Sequence, residues 1–121
     1  MTVAVWAGVF VIGGVGAMLR FLVDRAVSAR IPGSFPFGTL AVNLSGALLL
    51  GFLAGLALSP HLALLVGTGF VGSYTTFSTW MLETHRLGEE RQVFPAAANI
   101  VVSVVLGLTA AWLGLWLGGR V

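Results

Sequence analysis

G-F-V-G-S-Y-T-T-F-S-T-W, from Gly69 to Trp80, is the stretch whose reading decides the fold. It lies inside an otherwise apolar run, yet it gathers glycine, hydroxyl and aromatic side chains into little more than three helical turns. A helix whose only task is to cross a bilayer needs none of these. Glycine costs a helix up to ~1 kcal/mol relative to alanine, and Gly67, Gly69 and Gly72 weaken this one together. Ser73, Thr75 or Thr76 can then cap a second half-helix. In that half Phe77 and Trp80 share a face at i, i+3, with Thr75, Ser78 and Thr79 as a polar strip beside it. Two readings follow: an unbroken helix whose hydroxyls bond back to its own carbonyls, or a broken helix lining a path for something small and polar. The density of hydroxyls after Gly72 favours the broken helix.

The rest of the chain supports a membrane setting. Of 121 residues, 58% are hydrophobic and 8% charged, against roughly 25% charged in soluble domains. Apolar runs of about 20 residues match a hydrocarbon core of ~30 Å. They predict an all-α integral membrane protein, a single transmembrane domain over 1–121 with four spans at about 3–23, 38–58, 62–82 and 93–117. The first run is too long for a cleaved signal peptide, and no basic residue precedes it. A net charge of +2, dispersed along the chain, gives no basis for nucleic-acid binding. Cysteine is absent, so disulfide and thiol chemistry are excluded.

Each span carries a few residues that are not simply lipid-facing. Gly13, Gly14, Gly16 and Ala17 give the first a small-residue face. Arg20, in its last turn, either snorkels to the interface or supplies positive potential at a pore mouth. Asn43, in the second, faces another helix or water, because an unpaired amide at that depth is costly. Gly51 and Gly55, and Gly114 and Gly118, are GxxxG packing signals. Asn99, Ser103 and Gly107 recur at i+4 on the last span as a second polar stripe. Glu83, His85, Arg86, Glu89, Glu90 and Arg91 read as a solvated loop. Trp6, Trp112 and Trp116 fall on one membrane side, as an aromatic belt does.

The chemistry this permits is narrow. No span has an acidic residue near its middle, and the sequence offers no nucleophile–base pair, metal-ligand cluster or phosphate loop. Catalysis and proton-coupled pumping on a buried carboxylate are not expected. A passive path lined by hydroxyls, amides and ring edges, with arginine nearby, suits an anion, since aromatic rings are positive at their edges.

Three motifs carry a family resemblance: Gly13-Gly14-Val15-Gly16-Ala17-Met18-Leu19-Arg20, Phe37-Gly38-Thr39-Leu40-Ala41-Val42-Asn43-Leu44-Ser45-Gly46, and Gly69 to Thr79. With the four-span layout, the chain resembles the Fluc (CrcB) fluoride channels over its whole length. The resemblance implies a multi-pass protein of the cell inner (plasma) membrane that exports fluoride passively. It implies an antiparallel dimer around a central structural Na⁺ held by the backbone carbonyls of Gly72 and Thr75. It further assigns the fluoride pathway to Asn43, Phe77, Trp80, Ser78 and Thr79, with Arg20 at the pore vestibule. Small four-span multidrug exporters are the nearest alternative, but they need a membrane-embedded glutamate that the first span lacks. A non-transporting membrane assembly protein is the other.

Two departures qualify the resemblance. The family's usual second phenylalanine is Trp80 here, larger and bearing an N–H donor. Arg25, Arg30, Arg86 and Arg91 lie on one side of the membrane, with only Arg120 on the side of the termini. The positive-inside rule then favours termini outside. The dimer is accordingly either a homodimer inserted both ways or a heterodimer with an oppositely oriented homologue.

Overall fold

The computed structural model describes residues 2–121 and is all-helical, with no strand among the described residues. Helix α1 spans Val3–Arg30. The Thr2 hydroxyl accepts the Val5 N–H at its start, and Pro32 and Gly33 follow its end. At 28 residues it is about 42 Å long, so its last two turns, with Asp24, Arg25 and Arg30, extend beyond the apolar run. Helix α2 spans Phe37–Leu56 and stops at Ala57, which adopts the left-handed conformation (φ 51°). Half-helix α3 comprises Pro60–Leu62, a π-helical stretch Ala63–Val71, and one α-turn Gly72–Tyr74. Ser59 caps it, with Pro60 at its first position. Half-helix α4 covers Ser78–Glu89, and α5 covers Val93–Gly118.

Helices α1, α2 and α5 are each long and apolar enough to cross a membrane. The fourth crossing is the bent pair α3–α4. The unbroken-helix alternative is therefore wrong, because Thr75 is extended (φ −78°, ψ 162°) between the two halves. The expected loop after the third span is also corrected. Residues 83–89 belong to α4, which buries Leu87 and turns His85, Arg86 and Glu89 outward. His85 and Glu89 pair across one turn. The connection to α5 is reduced to 90–92.

Glycine decides how closely the helices approach. A Cβ on Gly51 would lie 2.1 Å from the Ala111 carbonyl, and one on Gly114 2.1 Å from that of Leu48. Gly55 and Gly118 are equally closed by Leu115 and Phe52. The two GxxxG signals are thus the two sides of one α2–α5 seam. Gly16 similarly meets Phe70 and Ser73, joining α1 to α3. Most large apolar side chains face outward, Phe10 and Val3 each at 85% exposure, as expected where lipid is the solvent. The buried interior is small and partly polar: Val42, Val71, Tyr74 and Leu87 with Thr39, Thr76 and Asn99.

Candidate functional site

The site forms where α3 stops and α4 begins. Breaking a helix inside an apolar slab orphans backbone groups that lipid cannot satisfy. Asn43 answers two of them. Its Nδ2 donates to the Thr76 carbonyl and its Oδ1 accepts the Thr76 N–H, both at 2.9 Å. The amide acts as a surrogate peptide, holding the break against α2 and retaining one N–H to offer elsewhere. Thr76 then caps α4, its Oγ1 accepting the Thr79 N–H at 3.2 Å. Of the three cap candidates Thr76 is the one used. Ser73 and Thr75 turn back, to the Gly69 and Phe70 carbonyls and to that of Val71.

These diversions free two carbonyls. In an unbroken helix the Thr76 N–H would bond the Gly72 carbonyl, and the Thr79 N–H that of Thr75. Both donors go elsewhere. Gly72 and Thr75, the two residues expected to face a cation, are thus among the residues from 72 to 75 whose carbonyls lose their i+4 donors, and carbonyl oxygens of this kind are hard-cation ligands. The residues present fit such an ion. Gly46 lets the break come this close, for a Cβ there would lie 2.2 Å from the Thr75 methyl.

Two cavities flank the break. The first, about 340 Å³, is lined by Arg20, Asp24, Thr39, Thr76, Ser78 and Thr79. Arg20 forms no ion pair among the described residues and is half-buried, so its charge faces this polar space. Thr39 donates to Glu83. The second, about 420 Å³ and mostly apolar, is lined by Asn43, Thr75, Phe77, Trp80, Ser103 and Gly107 among others. Here the Phe77 and Trp80 rings meet edge to face, 5.8 Å apart at 82°. Phe77 is 70% exposed.

The predicted residues therefore divide between two neighbouring spaces. Arg20, Ser78 and Thr79 line the polar one, and Asn43, Phe77 and Trp80 the ring-lined one. The second polar stripe separates as well. Ser103 lines the groove, whereas Asn99 is buried (1% exposed) and fastens α5 to α4. The Asn99 carbonyl accepts the Trp80 indole N–H at 3.1 Å, its Nδ2 donates to Thr84 Oγ1, and that hydroxyl donates to the Trp80 carbonyl. The Trp80 N–H is thereby committed, leaving the ring edge to face the groove. Thr76, read from sequence only as a possible cap, touches both cavities. Its hydroxyl is one of six between Ser73 and Thr79, and nothing in the sequence sets it apart. The pairing with Asn43 does.

Comparison with known proteins bears on the chain as a whole. Residues 7–115 match the family model described as CrcB-like protein, Camphor Resistance (CrcB). The chain is similar to the fluoride-specific ion channel FluC 2 of Mycobacterium tuberculosis, 69% identical over 117 residues covering 97% of this chain and 93% of that one. It is 72% identical to the protein of that name from Mycolicibacterium paratuberculosis over 113 residues, 93% of each. To the fluoride-specific ion channel FluC 1 of Streptomyces avermitilis it is 51% identical over 106 residues, 84% and 86% of the two chains.

Proposed function

The chain belongs to the CrcB-like family, and from that premise we propose that it is a fluoride-specific channel, carrying F⁻ passively out of the cell. The observation that supports this best is the pair of cavities flanking a helix break and sharing Thr76 in their linings. One has a free arginine and hydroxyl donors; the other has ring edges and an amide. A small, strongly hydrated anion needs such donors to replace its water. Hydrogen fluoride enters as a neutral acid and dissociates. An inside-negative potential then drives the anion outward with about 2.3 kcal/mol per 100 mV. No coupling ion is required.

Three finer features belong to the same proposal. The working unit is an antiparallel dimer in the plasma membrane, built about a structural Na⁺. When bound, that ion neutralises the carbonyl dipoles of the unwound segment. In this chain Gly72 and Thr75 supply the carbonyls, freed by Asn43 and by the Thr76 cap. The arginine bias favours one orientation, so the partner is an oppositely oriented homologue in preference to a second copy. Expression in bacteria lacking their own fluoride exporter tests the whole reading, alone and with that homologue. Restored growth on fluoride supports it. Continued sensitivity with both chains in the membrane opposes it.

A further inference from the structure

The two cavities at the break have one lining residue in common among the described residues, Thr76. Thr76 therefore faces both the arginine-bearing space and the ring-lined groove. Thr76 cannot turn away, because both of its backbone polar groups are closed by Asn43 at 2.9 Å and the residue is 7% exposed. What it has left is its hydroxyl. A hydroxyl has one proton and two lone pairs. One lone pair takes the Thr79 N–H, and the proton remains. Its nearest partner is Ser78 Oγ at 3.5 Å, well beyond the ~2.7–2.8 Å of a good hydroxyl pair. Two hydroxyls thus stand side by side without a full bond between them.

That spacing suits an anion between them. Charge-assisted O–H bonds are about 2.6 Å long, so donors 3.5 Å apart can both reach one small ion. Resting on the fluoride-channel reading, we propose that Thr76 and Ser78 donate together to fluoride at the junction of the two cavities. Thr76 is then a residue that sets selectivity and rate, in addition to capping α4. The Thr79 N–H bond orients the Thr76 oxygen, leaving its proton as the group presented to the ion. Asn43 acts on this site through Thr76, by fixing the peptide that carries the hydroxyl.

Single-channel recording in planar bilayers tests the assignment, with the oppositely oriented homologue supplied where the chain requires it. Fluoride current from the wild type is the control for the channel reading; its absence defeats that reading and does not bear on Thr76 separately. Given that current, Thr76→Val is expected to lower unit fluoride current at least tenfold and raise the half-saturating fluoride concentration. Thr76→Ser should restore most of both. A residue that only caps the helix would change stability and the number of active channels, leaving unit current untouched. Ser78→Ala keeps the cap whole and covers the case in which Thr76→Val does not fold. It is expected to lower unit current severalfold with no loss of thermal stability. Wild-type unit current in either variant overturns the proposal.

Discussion

Asn43 and Thr76 pair as two peptides do, each giving one hydrogen bond and taking one, both at 2.9 Å. The pairing joins α2 to the non-helical break between α3 and α4. It lets the chain break its helix without leaving the Thr76 backbone groups unsatisfied.

Asn43→Ala removes both bonds at once. Each buried polar group left without a partner costs about 1–3 kcal/mol. The variant should therefore unfold at lower temperature in detergent and lose fluoride efflux by tenfold or more. A variant with wild-type melting would show that water serves Thr76 as well as the amide does.

The glycines divide by what surrounds them. Gly46→Ala drives a methyl onto Thr75, and Gly114→Ala drives one onto the Leu48 carbonyl. Both should destabilise the purified protein, and Gly46→Ala should also abolish flux by displacing the break. Gly88, helical and with nothing within 4 Å of an added Cβ, behaves oppositely. Gly88→Ala is expected to stabilise by about 0.5–1 kcal/mol, read as a higher melting temperature with unchanged flux.

Trp80 tests what the aromatic pair contributes. Trp80→Phe retains a ring but surrenders the bond to the Asn99 carbonyl, a loss of about 1 kcal/mol. Efflux should stay within a few-fold of wild type. Trp80→Ala removes the ring edge facing Phe77 and should cut efflux at least tenfold. Equal rates in all three would take Trp80 out of the pathway.

The arginine distribution makes a separate statement about assembly. Arg25, Arg30, Arg86 and Arg91 are all exposed at one end of the bundle, with Arg120 at the other, over the Trp116 ring. A C-terminal alkaline phosphatase fusion should be active and a cytoplasmic reporter at the same position silent. Similar signals from both would indicate dual insertion and a homodimer.

Much of this arrangement is legible in the residues themselves. The apolar runs mark the crossings, and the glycine–hydroxyl cluster marks the break, because both follow from solvation of the backbone in lipid. The two GxxxG signals were readable individually, but not that they face one another, since spacing along a helix does not name its partner. Residues 83–89 read as a loop because their charge density resembles one, whereas what holds them in α4, the burial of Leu87 and the bonds of Glu83 to Thr39 and of Thr84 to Asn99, comes from tertiary packing. Thr76 escaped for a related reason. Its distinction from Thr75 lies in a bond to a residue 33 positions away, and no local pattern carries that.

Fluoride efflux from liposomes tests the central claim most directly. The purified protein, alone and reconstituted with its oppositely oriented homologue, is placed in vesicles loaded with fluoride, and release is followed by electrode once a potassium ionophore clamps the voltage. The account predicts rapid release of fluoride, no comparable release of chloride, and loss of the fluoride signal in Asn43→Ala. Vesicles containing both folded chains that retain their fluoride would contradict it.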